Sequence, residues 1–143
     1  MKISLFLVLL SCVTPVARGQ QLRWEICVDG RKQLTGTEGK KADTLHLIVS
    51  DPASRKDLEI RVREKPSNVD WTYTLNISDT AGHTLSEHQL GGKKELYRVS
   101  ITEILAFFPK HRFLLLHLDQ HPANPEMSIR SKRTLLAVIQ LKP

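Results

Sequence analysis

The chain has only two cysteines in 143 residues, too few for the disulfide framework on which many small extracellular domains rest. One of them, Cys12, lies in an N-terminal stretch that reads as a cleaved leader, so Cys27 has no partner within the mature chain. Cys27 is then either a buried, inert thiol or the bridge of a disulfide-linked homodimer. Long apolar runs are also missing. After Val13 no stretch approaches the length that crosses a bilayer as a helix, which argues against membrane insertion of the mature chain. The motifs of common catalysts are absent too: there is no Gly-x-Ser-x-Gly elbow, no His-Glu-x-x-His and no phosphate-cradling glycine loop. Cys27 carries no local signature of a nucleophile. An enzyme would need a site assembled in space from scattered residues, and a non-catalytic protein without a cofactor is the expectation.

What is present first is a secretory signature. Lys2 gives a basic start, Ile3 to Val13 form an apolar stretch interrupted only by Ser4 and Ser11, and Pro15 precedes a small-residue site at Ala17 and Gly19. Residues 1–19 are expected to be a signal peptide and 20–143 a single secreted domain, long enough to hold itself together by its core. The net charge of the full chain is +6. Removal of Lys2 and Arg18 with the leader leaves a mildly basic protein.

Alternation of apolar and polar residues dominates the mature chain. Leu22, Trp24, Ile26 and Val28 share one face of a strand, with Arg23, Glu25, Cys27 and Asp29 on the other. The same period recurs through Leu45, Leu47 and Val49, through Leu58, Ile60 and Val62, and through Trp71, Tyr73, Leu75 and Ile77. Polar residues on the second face argue for half-buried antiparallel strands. Turn residues separate them at Asp29-Gly30, 51–55, Pro66-Ser67-Asn68, Asp79 to Gly82 and Gly91-Gly92. Residues 84–90 and 96–101 read as a hairpin across Gly91 to Lys94, the first as an edge strand. The period then changes: Ile101, Ile104, Leu105 and Phe108 form a helical stripe, Ser100 and Glu103 have capping-box spacing, and Pro109 stops the run. Residues 113–118 and 135–141 complete the strands. The expected fold is an all-β, antiparallel β-sandwich, immunoglobulin-like, fibronectin-like or related, with one short helix near residues 101–108. The two-cysteine pin of antibody domains is absent.

Four groups of residues attract functional readings. His117, Asp119 and His121 alternate along one strand, so all three point the same way, as metal ligands do; the other histidines follow no metal-binding spacing, and a polar strand end meeting water explains the set equally. Asn76-Ile77-Ser78 is an acceptor for an N-linked glycan, and alternation against Leu75 and Ile77 places Asn76 outward. Basic residues occur in short groups that include Arg61, Arg63 and Lys65, Lys110 and Arg112, and Arg130, Lys132 and Arg133. If they converge, a glycosaminoglycan is their natural partner; nucleic acid is not expected outside the cell. Finally, Arg130-Ser131-Lys132-Arg133 resembles the cleavage site of furin-type convertases. Cutting there would release residues 134–143, yet this segment reads as a core strand, which argues for an inaccessible site.

The expected function is that of a small secreted glycoprotein that binds an extracellular or cell-surface protein as a ligand or cofactor. A glycosaminoglycan- or carbohydrate-binding module is the alternative, and a secreted enzyme with an unrecognised site the third. An exposed apolar patch, a converged basic surface, or a pocket of titratable groups would separate these three.

Overall fold

A computed structural model describes residues 21–50, 56–64, 69–90 and 96–143. The expected signal peptide, Lys65 and the turns at 51–55, 66–68 and 91–94 lie outside the described residues. Among the described residues the chain is mostly β, with two sheets and one short helix. In order, the elements are β1 (Arg23–Val28), β2 (Arg31–Thr37), β3 (Thr44–Ile48), β4 (Asp57–Arg63), β5 (Trp71–Ser78), β6 (Thr84–Leu90), β7 (Leu96–Ser100), α1 (Ile101–Leu105), β8 (Phe113–Pro122) and β9 (Lys132–Lys142). One sheet has the order β2-β1-β4-β7, the other β3-β9-β8-β5-β6.

The alternating apolar residues identify the inner faces. Trp24 and Ile26 of β1, Leu58, Ile60 and Val62 of β4, Leu75 and Ile77 of β5, and Leu114, Leu116 and Leu118 of β8 all belong to one buried cluster shared by both sheets. Burial of each such leucine or isoleucine contributes about 1.5–3 kcal/mol before the entropy of ordering is charged against it. The indole N–H of Trp24 donates to the Leu136 carbonyl at 3.0 Å, a bond that ties one sheet to the other. A register shift between Leu116 and His117 gives β9 an extra residue there, so that Leu136 and Ala137 are both buried.

Four expectations need correction. The sheets are not wholly antiparallel, because β3 runs parallel to β9, with Val138 N–H donating to the Asp43 carbonyl and Val49 N–H to that of Lys142. The chain reaches β3 at the end of the sheet where β9 also begins, so both strands leave it in the same direction. Second, β6 and β7 are not a hairpin. The turn at Asp79, whose carboxylate accepts from the N–H groups of Ala81 and His83, returns β6 onto β5, whereas β7 pairs with β4 in the other sheet. Third, α1 ends at Leu105 and continues as single turns through His111; Ser100 makes no side-chain cap bond. Its intended partner, Glu103, accepts instead from Ser86 on β6. Fourth, β2 goes unread in the sequence because only Leu34 of its seven residues is a large apolar side chain.

Candidate functional site

Strand β8 carries the residues that stand out most in the sequence, and its alternation places them away from the core. Leu114, Leu116 and Leu118 are buried inward, so Phe113, Leu115, His117, Asp119 and His121 project from the outer face of the five-stranded sheet. The three polar residues do not form a metal centre. Arg133, opposite Asp119 on β9, grips the carboxylate with two bonds, Nε to Oδ1 at 2.6 Å and Nη2 to Oδ2 at 2.7 Å. Asn76 Nδ2 donates to the same Oδ2. His121 turns to Ser131, with 2.8 Å between Nδ1 and Oγ. Among the described residues no three His, Cys, Asp or Glu side chains gather as a metal would require.

The arrangement is electrostatic and shallow. Arg133 holds the Asp119 carboxyl below its usual range, and Asp119 raises Arg133 in return. Burial, reinforced by the Arg133 charge, pushes His117 downward and favours its neutral ring. Asp119 is covered while Arg133 stays half open to water, so the pair stabilises the fold by about 1 kcal/mol, well short of a fully buried ion pair. Around it, Asn76 Oδ1, Ser78 Oγ and His117 Nδ1 are buried without a hydrogen-bond partner among the described residues. Asn76 lies directly opposite His117 in the β5–β8 register.

Asn76 does occupy the face opposite Leu75 and Ile77, yet that face is not open: Asn76 is 4% exposed. The expectation of an outward, accessible sequon is corrected. Its amide nitrogen, the atom that would carry a glycan, is donated to Asp119 beneath the longer side chains of β8 and β9. Cys27 undergoes the same correction. It too faces away from the core, opposite Lys32 on β2 and Glu59 on β4, and is 2% exposed. The surrounding outer face of the four-stranded sheet carries charged pairs, Lys32–Glu25 at 3.0 Å and Arg98–Glu59 at 3.4 Å. The thiol is free and buried, which favours the inert reading of Cys27 over an interchain bridge. We therefore expect the intact mass of the protein to be that of a single chain, unchanged by reductant or by glycosidase. A mass that doubles without reductant would overturn the placement of Cys27, and one that falls with glycosidase that of Asn76.

The basic groups separate into two ends. Arg63 pairs in register with Arg23, and the neighbouring Glu64 reaches Gln120, whose register partner is Lys132. Arg63, Lys132 and Arg133 therefore share one end, with Arg130 in the segment just before β9. Arg112 lies at the other, where its carbonyl accepts from Leu141 near the far end of β9, and Lys110 is adjacent. With a rise of about 3.3 Å per residue the two ends are roughly 25 Å apart. Arg61 is paired with Glu59 at 3.6 Å.

Outside these groups, Ser86, His88 and Glu103 meet where β6 packs against α1. The residue types are those of a hydrolase, but the geometry is not. Ser86 Oγ at 3.0 Å and Glu103 Oε1 at 3.2 Å both address the same ring nitrogen of His88, Nε2, and Ser86 donates directly to Glu103. A relay needs the acid on the opposite nitrogen. The cluster ties the helix to an edge strand.

The outer face of the five-stranded sheet has a second, apolar part. Phe113 is 44% and Ile48 46% exposed, and Leu115, Leu135 and Val138 beside them are half-buried. Register joins them across three strands: Phe113 opposes Gln140, which opposes His46, while Leu115 opposes Val138. Comparison of the chain with protein-family models, curated proteins and solved structures finds no match.

Proposed function

We propose that the protein is a secreted, non-catalytic binding module, a β-sandwich of the immunoglobulin or fibronectin kind, that engages an extracellular or cell-surface protein through the outer face of its five-stranded sheet. The observation that carries this reading is the apolar stripe of Ile48, Phe113, Leu115, Leu135 and Val138 on one flat face. Large side chains held in water across three adjacent strands are the usual mark of an interaction surface. The nearby cations, Lys110, Arg112 and Lys142, favour a partner with an apolar centre and an acidic rim. They disfavour a second copy of the same chain, which would bring like charges together.

The reading is tested with labelled protein on cells and two variants, Phe113→Asp and Ile48→Asp. Both positions are exposed, so folding is expected to persist, and circular dichroism checks it. Saturable binding that disappears after trypsin treatment of the cells, and weakens at least about tenfold in either variant, is the expected result. Binding that survives both substitutions unchanged would remove this face from consideration.

A further inference from the structure

A cleft of about 380 Å³ lies between the segment that joins β2 to β3 and the first residues of β9. Trp24 lies in its wall, and Lys40, Lys41 and Arg133 bring positive charge to it. Among the described residues neither lysine forms an ion pair with a carboxylate, in contrast to Lys32, Lys56, Arg61 and Arg98 on and beside the four-stranded sheet. Glu38, also in the cleft, accepts from the Leu22 backbone N–H at 3.3 Å. Asp119 fixes the Arg133 guanidinium through Nε and Nη2, so its remaining donors are held in place rather than searching solvent. Further along the same end, Lys132 lies 5.8 Å from the centre of the Trp71 ring and has no carboxylate partner among the described residues.

A second cleft, of about 390 Å³ at the other end, shows what distinguishes this one. Its cations meet carboxylates on its own walls, Lys56 with Asp29 at 2.6 Å and Arg98 with Glu59 at 3.4 Å. That cleft neutralises itself. At this cleft Arg133 is paired with Asp119 and Glu38 adds one carboxylate, but the charges of Lys40 and Lys41 are left for something else.

We propose that this cleft and the adjoining Lys132 bind a sulfated glycosaminoglycan, with sulfate groups on Lys40, Lys41 and the held fork of Arg133. The cleft meets the apolar face at Leu135, but Lys40 and Lys41 lie outside that face and Phe113 and Ile48 outside the cleft, so the two sets of variants let either assignment fail without the other. The test is calorimetric titration of the full secreted chain with a short heparin oligosaccharide. Affinity is expected to fall by tens-fold between about 50 and 200 mM salt, as release of counterions from three or four contacts requires. The double variant Lys40→Ala/Lys41→Ala is expected to lose about tenfold or more, and Lys110→Ala/Arg112→Ala, at the far end, less than about twofold. Equal losses in the two variants would mean diffuse charge and overturn the site, as would no binding. An acidic peptide of matched charge that binds equally well would reassign the site to a protein ligand. Inorganic sulfate that competes far better than chloride at equal ionic strength would show a single-anion pocket and overturn the polymer.

Discussion

Replacing Gly36 with valine is expected to lower the unfolding free energy by about 2–4 kcal/mol. Gly36 sits opposite Trp24 in the β1–β2 register, and the indole lies over its backbone so closely that a Cβ there would be 2.1 Å from Cε2 and 2.4 Å from Nε1. The requirement is for space alone, since Gly36 is not among the described glycines with positive φ, which are Gly30, Gly39 and Gly82. Two losses combine. The displaced indole gives up packing in the shared core, and its bond to the Leu136 carbonyl, worth about 1 kcal/mol net, is broken or stretched. Alanine should do the same to a smaller extent, because β2 is an edge strand and can draw back a little. Denaturant unfolding measures the effect, and a double-mutant cycle assigns it. In a Trp24→Leu background the added cost of Gly36→Ala should largely vanish. If the two changes instead add to within about 0.5 kcal/mol, the clash with Trp24 is not the cause.

The Trp24–Gly36 contact also marks where sequence reading stops. Alternation through Leu22, Trp24 and Ile26 identifies the buried face of β1 because that face must leave water wherever its strand ends up. Nothing in that pattern says which neighbour covers the ring. The same limit explains β6 and β7. Gly91 and Gly92 mark a turn, but a turn that reverses within one sheet and a turn that crosses to the other are written in the same residues. Strand β2 has too few apolar side chains to show a period, as befits an edge with much of its length in water.

The candidate site was legible in its parts and not in its joins. Alternation puts His117, Asp119 and His121 on one face, and they are there. What it leaves out is Arg133, fourteen residues away, whose register with Asp119 converts an open carboxylate into half of an ion pair. Asn76 and Cys27 show the complementary error. Both face away from the core as their spacing requires, but an outer face in the middle of a sheet is not equivalent to solvent. Cys27 has the long side chains of Lys32 and Glu59 across from it, and Asn76 is bonded to the Asp119 carboxylate that Arg133 holds; long stems of this kind can cover a short neighbour while their heads remain wet. Exposure of a short residue on such a face depends on its cross-strand neighbours, which only the register supplies.

The register decides the fate of the basic tetrad as well. A convertase of the furin type is expected to cut the folded protein after Arg133 at least about a thousandfold more slowly than a peptide of the same sequence. The bond in question joins Arg133 to Thr134, both inside β9, with Asp119 and Leu118 of β8 as their partners. Drawing this end of β9 into a protease cleft means breaking its ladder with β8 from Lys132 to Leu135 and the Arg133–Asp119 ion pair; the pairing with β3 begins only at Val138. It also strains the buried residues that follow, Thr134 and Leu136. Cleavage is slowed by the rarity of this open state. Arg130 and Ser131 are exposed, so recognition of the basic residues is not the obstacle; the path of the backbone beyond them is. Mass spectrometry of a timed digest reads the outcome through the fragment 134–143. Its appearance at the peptide's rate would show that β9 leaves the sheet readily, and would recast the C-terminal segment as a removable strand rather than part of the core.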